Sequence, residues 1–296
     1  CMTGTDLSKV HRLPDSQGMK NEILYFPSQR VTYFRAFEIA GARLIPIGED
    51  ARSADIQEVE EAITERTAAI AYVLGPGIRC SLSLKEVVEA ARGKSVPVIV
   101  DAAAMLPPVE NLRRYISEGA DLVTFSGGKG IRGPQSTGIL CGRKELMDAA
   151  CLNSSPNYRC IGRPMKMCKE EIVGLITALE LFVSQDNDAI WEAWRKKAEY
   201  IVDKLGGIEG IEVCLDQDPT TREGPVAVLH ATPTWDRRPL RDVPRRLMEG
   251  DPPILVGLHK SGFAEYLVEV VVCSAILKDG DEAIVARRLR EVLSGQ

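Results

Sequence analysis

The chain has 296 residues, 45% of them hydrophobic, and its 37 Lys and Arg stand against 42 Asp and Glu for a net charge of -5. That is enough apolar content for a sizeable core and, at this length, for two domains. An acidic balance with no dense Lys/Arg block is a poor footprint for a nucleic-acid binder, and no apolar run approaches the ~18 residues of a membrane span.

Taken in chain order, residues 22–26 (EILYF) read as a short strand stopped by Pro27, and 31–42 (VTYFRAFEIAGA) as a helix ending at Gly41. Residues 43–48 (RLIPIG) follow as a strand. A helix over 54–64 places Ile56, Val59, Ala62 and Ile63 on one face. A buried strand over 67–76 (TAAIAYVLGP) leads to a helix over 83–95 that opens at a serine cap. The β-branched run 97–104 (PVIVDAAA) is closed by Asp101, and a helix spans 109–119. Strands at 121–126 (DLVTFS) and 137–142 (TGILCG) flank a glycine loop, and 143–153 is helical. Strands alternating with helices at this pitch predict a mostly parallel α/β sheet covered on both faces.

Beyond about Met165 the pattern changes to two long helical stretches, 169–185 and 188–207, followed by strands at 211–217, 224–233 and 266–276. A helix over 241–250, an apolar run over 253–258 and a closing helix over 281–293 complete a small α+β domain. Two domains are therefore expected, 1–185 and 186–296. None of the eight cysteines forms a Cys-x-x-Cys pair, and Cys141 and Cys273 sit in apolar runs, so they read as buried free thiols of a reducing cytoplasm. The three histidines are not spaced for a metal site. Trp191 and Trp194, three apart on a helix, read as a packing stripe.

The loop after the strand 121–126 carries one lysine among glycines, Ser126-Gly127-Gly128-Lys129-Gly130. Most lysines are solvated surface charges. Lys129 instead follows a buried strand, at the carboxyl edge where α/β sheets bind ligands. A Walker-type phosphate loop is excluded, because Gly130 follows the lysine and Val123 stands where the first glycine belongs. Asp101, one strand earlier, ends an apolar run, where a carboxylate is costly without a cationic partner. A protonated pyridine nitrogen is such a partner, and a lysine able to lose its proton is the other half of a pyridoxal 5'-phosphate site. Ser126 is placed to donate to the cofactor phosphate, and Gly127 and Gly128 let the backbone come close.

The segments VDAAAMLPP (100–108), ADLVTFSGGKGIRGPQSTGILCGR (120–143) and IGRPMKMCKEEIVGLITALE (161–180) resemble fold-type-I pyridoxal-phosphate enzymes of the selenocysteine synthase (L-seryl-tRNA selenium transferase) family, nearest to the D-glucosaminate-6-phosphate ammonia-lyase branch. CMTGTD (1–6) and LMEGDPPILV (247–256) extend the resemblance over essentially the whole chain. The resemblance implies the aspartate-aminotransferase-like fold, with a large cofactor-binding domain and a small C-terminal one. It implies Lys129 as the Schiff-base lysine, Asp101 as the partner of the ring nitrogen, and Ser126, Gly128 and Ala103 as further cofactor contacts. It places Arg30, and the pair Arg163 and Lys166, toward an anionic substrate, although Arg163 and Lys166 also read as plain solvated charge. Gln29 stands where the lyase branch has a histidine, at the expected ring-stacking position.

A homodimer or larger ring is implied in the same way. The family's phosphate-cupping loop lies just upstream of a segment like 1–6, so the N-terminal part is expected to be missing. The implied function is a lyase eliminating ammonia from an amino acid or amino-sugar acid such as D-glucosaminate 6-phosphate. The alternatives are a selenium or sulfur transferase acting on aminoacyl-tRNA, which the acidic charge disfavours, and a non-catalytic scaffold or truncated homologue.

Overall fold

The computed structural model of the chain describes residues 1–48, 54–75, 78, 80–217, 224–235, 239–260 (backbone only at 259 and 260) and 268–295. The chain divides into two compact units, Cys1–Gln185 and Asp186–Gln296.

In the first unit a short helix α1 (Leu7–Val10) precedes β1 (Glu22–Tyr25), α2 (Arg35–Ile39), β2 (Arg43–Pro46), α3 (Ile56–Ala62) and β3 (Thr67–Val73). Then come α4 (Leu84–Gly93), β4 (Val98–Asp101), α5 (Asn111–Ser117), β5 (Leu122–Ser126), β6 (Gly138–Gly142), α6 (Lys144–Leu152) and α7 (Lys169–Ser184). The six strands form one sheet in the order β2-β1-β3-β4-β5-β6. All pairings are parallel except β5 with β6. This is the mostly parallel α/β sheet that the alternation of strands and helices predicts. The strand order reverses between β1 and β3, and the crevice outside the carboxyl ends at such a switch point is where open α/β sheets bind ligands.

Local chemistry sets the element ends. Ser83 accepts from Glu86 N while Glu86 Oε2 accepts from Ser83 N, a capping box that starts α4. Asp55 and Glu58 do the same for α3. All seven residues of β3 are buried, as a central strand covered on both faces requires. The core beneath it joins Leu24, Phe26, Ile70, Val98, Val100, Val123 and Phe125 to Val87 and Val88 of α4.

The segment 31–42 forms only a 3-10 turn (Thr32–Phe34) and the five-residue α2, not one long helix. Val31, Thr32 and Tyr33 are β-branched or aromatic and start a helix poorly. Phe34 is instead wedged edge-on between Tyr25 and Phe37.

The second unit packs α8 (Asn187–Leu205), α9 (Val243–Met248) and α10 (Asp281–Ser294) on an antiparallel sheet of β7 (Ile211–Asp216), β8 (Val226–Ala231), β9 (Gly257–Lys260) and β10 (Val268–Cys273), in the order β7-β8-β10-β9. Ile201, Leu205, Leu229, Leu247, Val270, Leu289 and Leu293 make its core. Trp191 and Trp194 lie against one another with ring centroids 6.4 Å apart, and the first two residues of the strand expected over 266–276 lie outside the described residues. Of the eight cysteines only Cys160 is buried. Cys141 is half-buried because β6 is an edge strand, and Cys273 because it ends β10. No described helix is long and apolar enough to cross a membrane.

At the amino edge of the first sheet, Glu22 is buried at the start of β1. It pairs with Arg66 and accepts from Thr64 Oγ1 at 3.0 Å. Arg66 is itself mostly exposed, so removing the carboxylate leaves a solvated cation and not a buried one. Glu22→Ala is therefore expected to lower the unfolding free energy by about 1–2 kcal/mol, checked by urea denaturation.

Candidate active site

β4 and β5 are parallel neighbours, and their carboxyl ends carry Asp101 and Ser126, with Lys129 three residues further on. Asp101 is fixed on both sides through its backbone. It pairs with Val73 of β3 and Thr124 of β5, and its carbonyl accepts from Leu74 N at 2.8 Å. Its half-buried carboxylate accepts from Ala103 N at 3.0 Å. Among the described residues it has no ion-pair partner. That matches a site built for a cation that arrives with a ligand, so the donor set fits a protonated pyridine ring.

The loop after β5 is tied to itself. Gly127 N donates to Thr137 O, Gly133 N to Gly127 O, Arg132 N to Lys129 O, and Gln135 Nε2 to Gly128 O. A Cβ on Gly127 would sit 2.1 Å from Thr137 Oγ1, and one on Gly128 2.7 Å from Gln135. One on Gly130 would sit 1.9 Å from the Leu106 carbonyl oxygen. The close approach that these glycines permit is thus to their own loop and to the segment after β4, which fixes the height of the exposed Lys129 above the sheet edge.

Helix α7 braces this loop. Leu175 and Ala178 pack against Gly133, and Pro134 against Gly174. Glu171 caps α7 by accepting from Cys168 N at 3.0 Å and also accepts from the Ser136 hydroxyl. The Ser136 hydroxyl, and then the Cys168 amide, hold the Glu171 carboxyl below its usual range.

Two strands away at the same edge, Arg30 follows β1, exposed, its guanidinium 5.7 Å from the Tyr25 ring centroid. It opens onto a groove of about 380 Å³ shared with Phe34, Arg35 and Leu44. The structure therefore gathers Lys129, Asp101, Ser126, Gly128, Ala103 and Arg30 along one sheet edge. Arg163 and Lys166 lie on the loop after α6. There Arg163 Nη1 donates to Ser155 Oγ at 3.2 Å, and Lys166 is exposed. No hydrogen bond joins that loop to the lysine loop among the described residues.

Gln29 is 2% exposed and presents no face for a ring to stack on. Its Oε1 accepts from Val73 N at 3.0 Å. The Tyr72 hydroxyl donates to Leu82 O at 2.9 Å. Burial pushes the Tyr72 phenol up. Sequence reasoning missed the inward Gln29 amide, because its partner lies more than forty residues away. Among the described residues no group of three His, Cys, Asp or Glu side chains is spaced to hold a metal ion.

The chain is similar to known proteins over most of its length. The profile of the aminotransferase class-V family matches residues 23–236. A 5'-C-glycyluridine monooxygenase-decarboxylase of Streptomyces sp is 32% identical over 99% of this chain and 72% of its own length. A D-glucosaminate-6-phosphate ammonia lyase of Salmonella typhimurium is 30% identical over 98% of this chain and 76% of its own. A solved D-glucosaminate-6-phosphate ammonia-lyase superposes with a TM-score of 0.75 at 28% identity, covering 99% of this chain and 76% of that one.

Glu171 generates a pH prediction. Its folded pKa is lowered, so the stability it contributes is present above the unfolded value of ~4.3 and is lost as pH falls through the folded one. Thermal melts of wild type and Glu171→Gln should differ at pH 7 and converge as the pH drops below that range.

Proposed function

The chain belongs to the aminotransferase class-V family and is a pyridoxal 5'-phosphate-dependent enzyme, and from that premise we propose that it is a lyase acting on an amino acid or amino-sugar acid. The observation that carries the proposal is the half-buried Asp101 carboxylate, with no ion-pair partner among the described residues, beside the strand that delivers Lys129. In this reading Lys129 Nζ attaches the cofactor, Asp101 holds the proton on its ring nitrogen, and Ser126 and the backbone near Gly128 and Ala103 hold its phosphate and ring. When bound, the cofactor supplies an electron sink for negative charge developing at the substrate α-carbon.

The residues of the chain do the rest. Lys129, displaced by the substrate amine, takes the proton from the α-carbon as a neutral amine. Arg30 grips the substrate carboxylate or phosphate with a forked pair of hydrogen bonds. Arg163 and Lys166 remain candidates for a second anionic group. For a β-hydroxy substrate the C–H bond at the α-carbon and the C–O bond at the β-carbon break. The water lost is regained on hydrolysis of the C–N bond, so the net products are a 2-oxo acid and ammonia. The similarity to the ammonia lyase makes D-glucosaminate 6-phosphate the first substrate to try. A homo-oligomer belongs to the same proposal. Ile172, Val173 and Ile176 of α7 are exposed, an apolar stripe of the kind a neighbouring subunit covers.

Cofactor titration followed by visible absorbance tests the proposal. Wild type should develop a band that Lys129→Ala lacks, and Lys129→Ala should lose turnover by about 10²- to 10⁴-fold. A band that persists unchanged in Lys129→Ala, or fails to form in wild type, contradicts it.

A further inference from the structure

The switch point between β1 and β3 is bridged by one side chain. The last paired residues of these strands are Tyr25 and Ala71, with Val73 two residues beyond. At Val73 the parallel ladder has run out on the β1 side, and a backbone N–H left unpaired in a buried strand is costly. Gln29 Oε1 fills the place a strand carbonyl would take, accepting from Val73 N at 3.0 Å. The next amide, Leu74 N, points the other way and donates to the Asp101 carbonyl at 2.8 Å. The side chain that supplies this acceptor is 2% exposed.

We infer that Gln29 is a positioning residue that extends the sheet by one step, locking the end of β3 so that Leu74 holds Asp101 in place for the cofactor ring. The same bond ties the turn that carries Arg30 to the strand beside Asp101, so the substrate grip and the ring partner are set by one buried amide. The local requirement is one acceptor toward Val73. A neutral imidazole also meets it, whereas an apolar side chain of similar length does not.

This inference rests on the cofactor reading above, and one arm of its test does not. Hydrogen exchange at the Leu74 amide, measured without cofactor, should be about tenfold faster in Gln29→Met than in wild type. With pyridoxal 5'-phosphate as the probe, Gln29→Met should bind about tenfold more weakly, with an altered visible band where binding is saturated. Gln29→His should restore affinity, band and exchange, which a purely volumetric role would not predict. Gln29→Asn, one methylene short of Val73, gives the same reading if Gln29→Met does not fold. Wild-type exchange at Leu74 in either loss variant overturns the inference. So does a drop in melting temperature with affinity and band unchanged. If wild type binds no cofactor while Leu74 exchange still responds to Gln29, the function proposed above falls and the structural lock stands.

Discussion

A carboxylate at the end of a hydrophobic strand is the constraint on which the rest of the site depends. Asp101 closes the run Val98–Asp101, held through its backbone by Leu74 on one side and Thr124 on the other. Its side chain accepts from the Ala103 amide. Half removed from water, such a group is stabilised most by a positive charge brought to it, and the fold brings a lysine-bearing loop to the neighbouring strand. Electrostatics and topology thus select the same few ångströms of sheet edge.

The loop that delivers Lys129 is rigid for reasons of packing. Its glycines are occupied by Thr137, Gln135 and the Leu106 carbonyl, leaving no room for a Cβ, and α7 supports it from beneath. The antiparallel return of β6 makes this possible, because it places Thr137 beside Gly127 at the mouth of the β5–β6 hairpin. A flexible lysine side chain on a rigid loop is suited to alternate between holding a cofactor and moving a proton.

Much of this was legible in the sequence. The β-branched runs bounded by Gly and Pro mark β3, β4 and β5. The Ser83 and Glu86 pair marks the start of α4, and Asp101, Ser126 and Lys129 stand out because polar groups are rare at the ends of such runs. What was illegible depends on long-range pairing. Nothing around Gln29 signals that its amide reaches Val73. The aromatic wedge of Tyr25, Phe34 and Phe37, which shortens α2, needs the fold before it can be seen. Nor does the IGRPMK segment disclose that Arg163 donates to Ser155.

The most direct test of the whole account is chemical labelling. The protein is incubated with pyridoxal 5'-phosphate, reduced with borohydride to fix any lysine-bound cofactor as a stable amine, and digested for peptide mass mapping. One modified site is predicted, Lys129, with labelling weakened when Asp101 is changed to Ala. Label spread over surface lysines such as Lys144 and Lys196, or absent from Lys129, would contradict it.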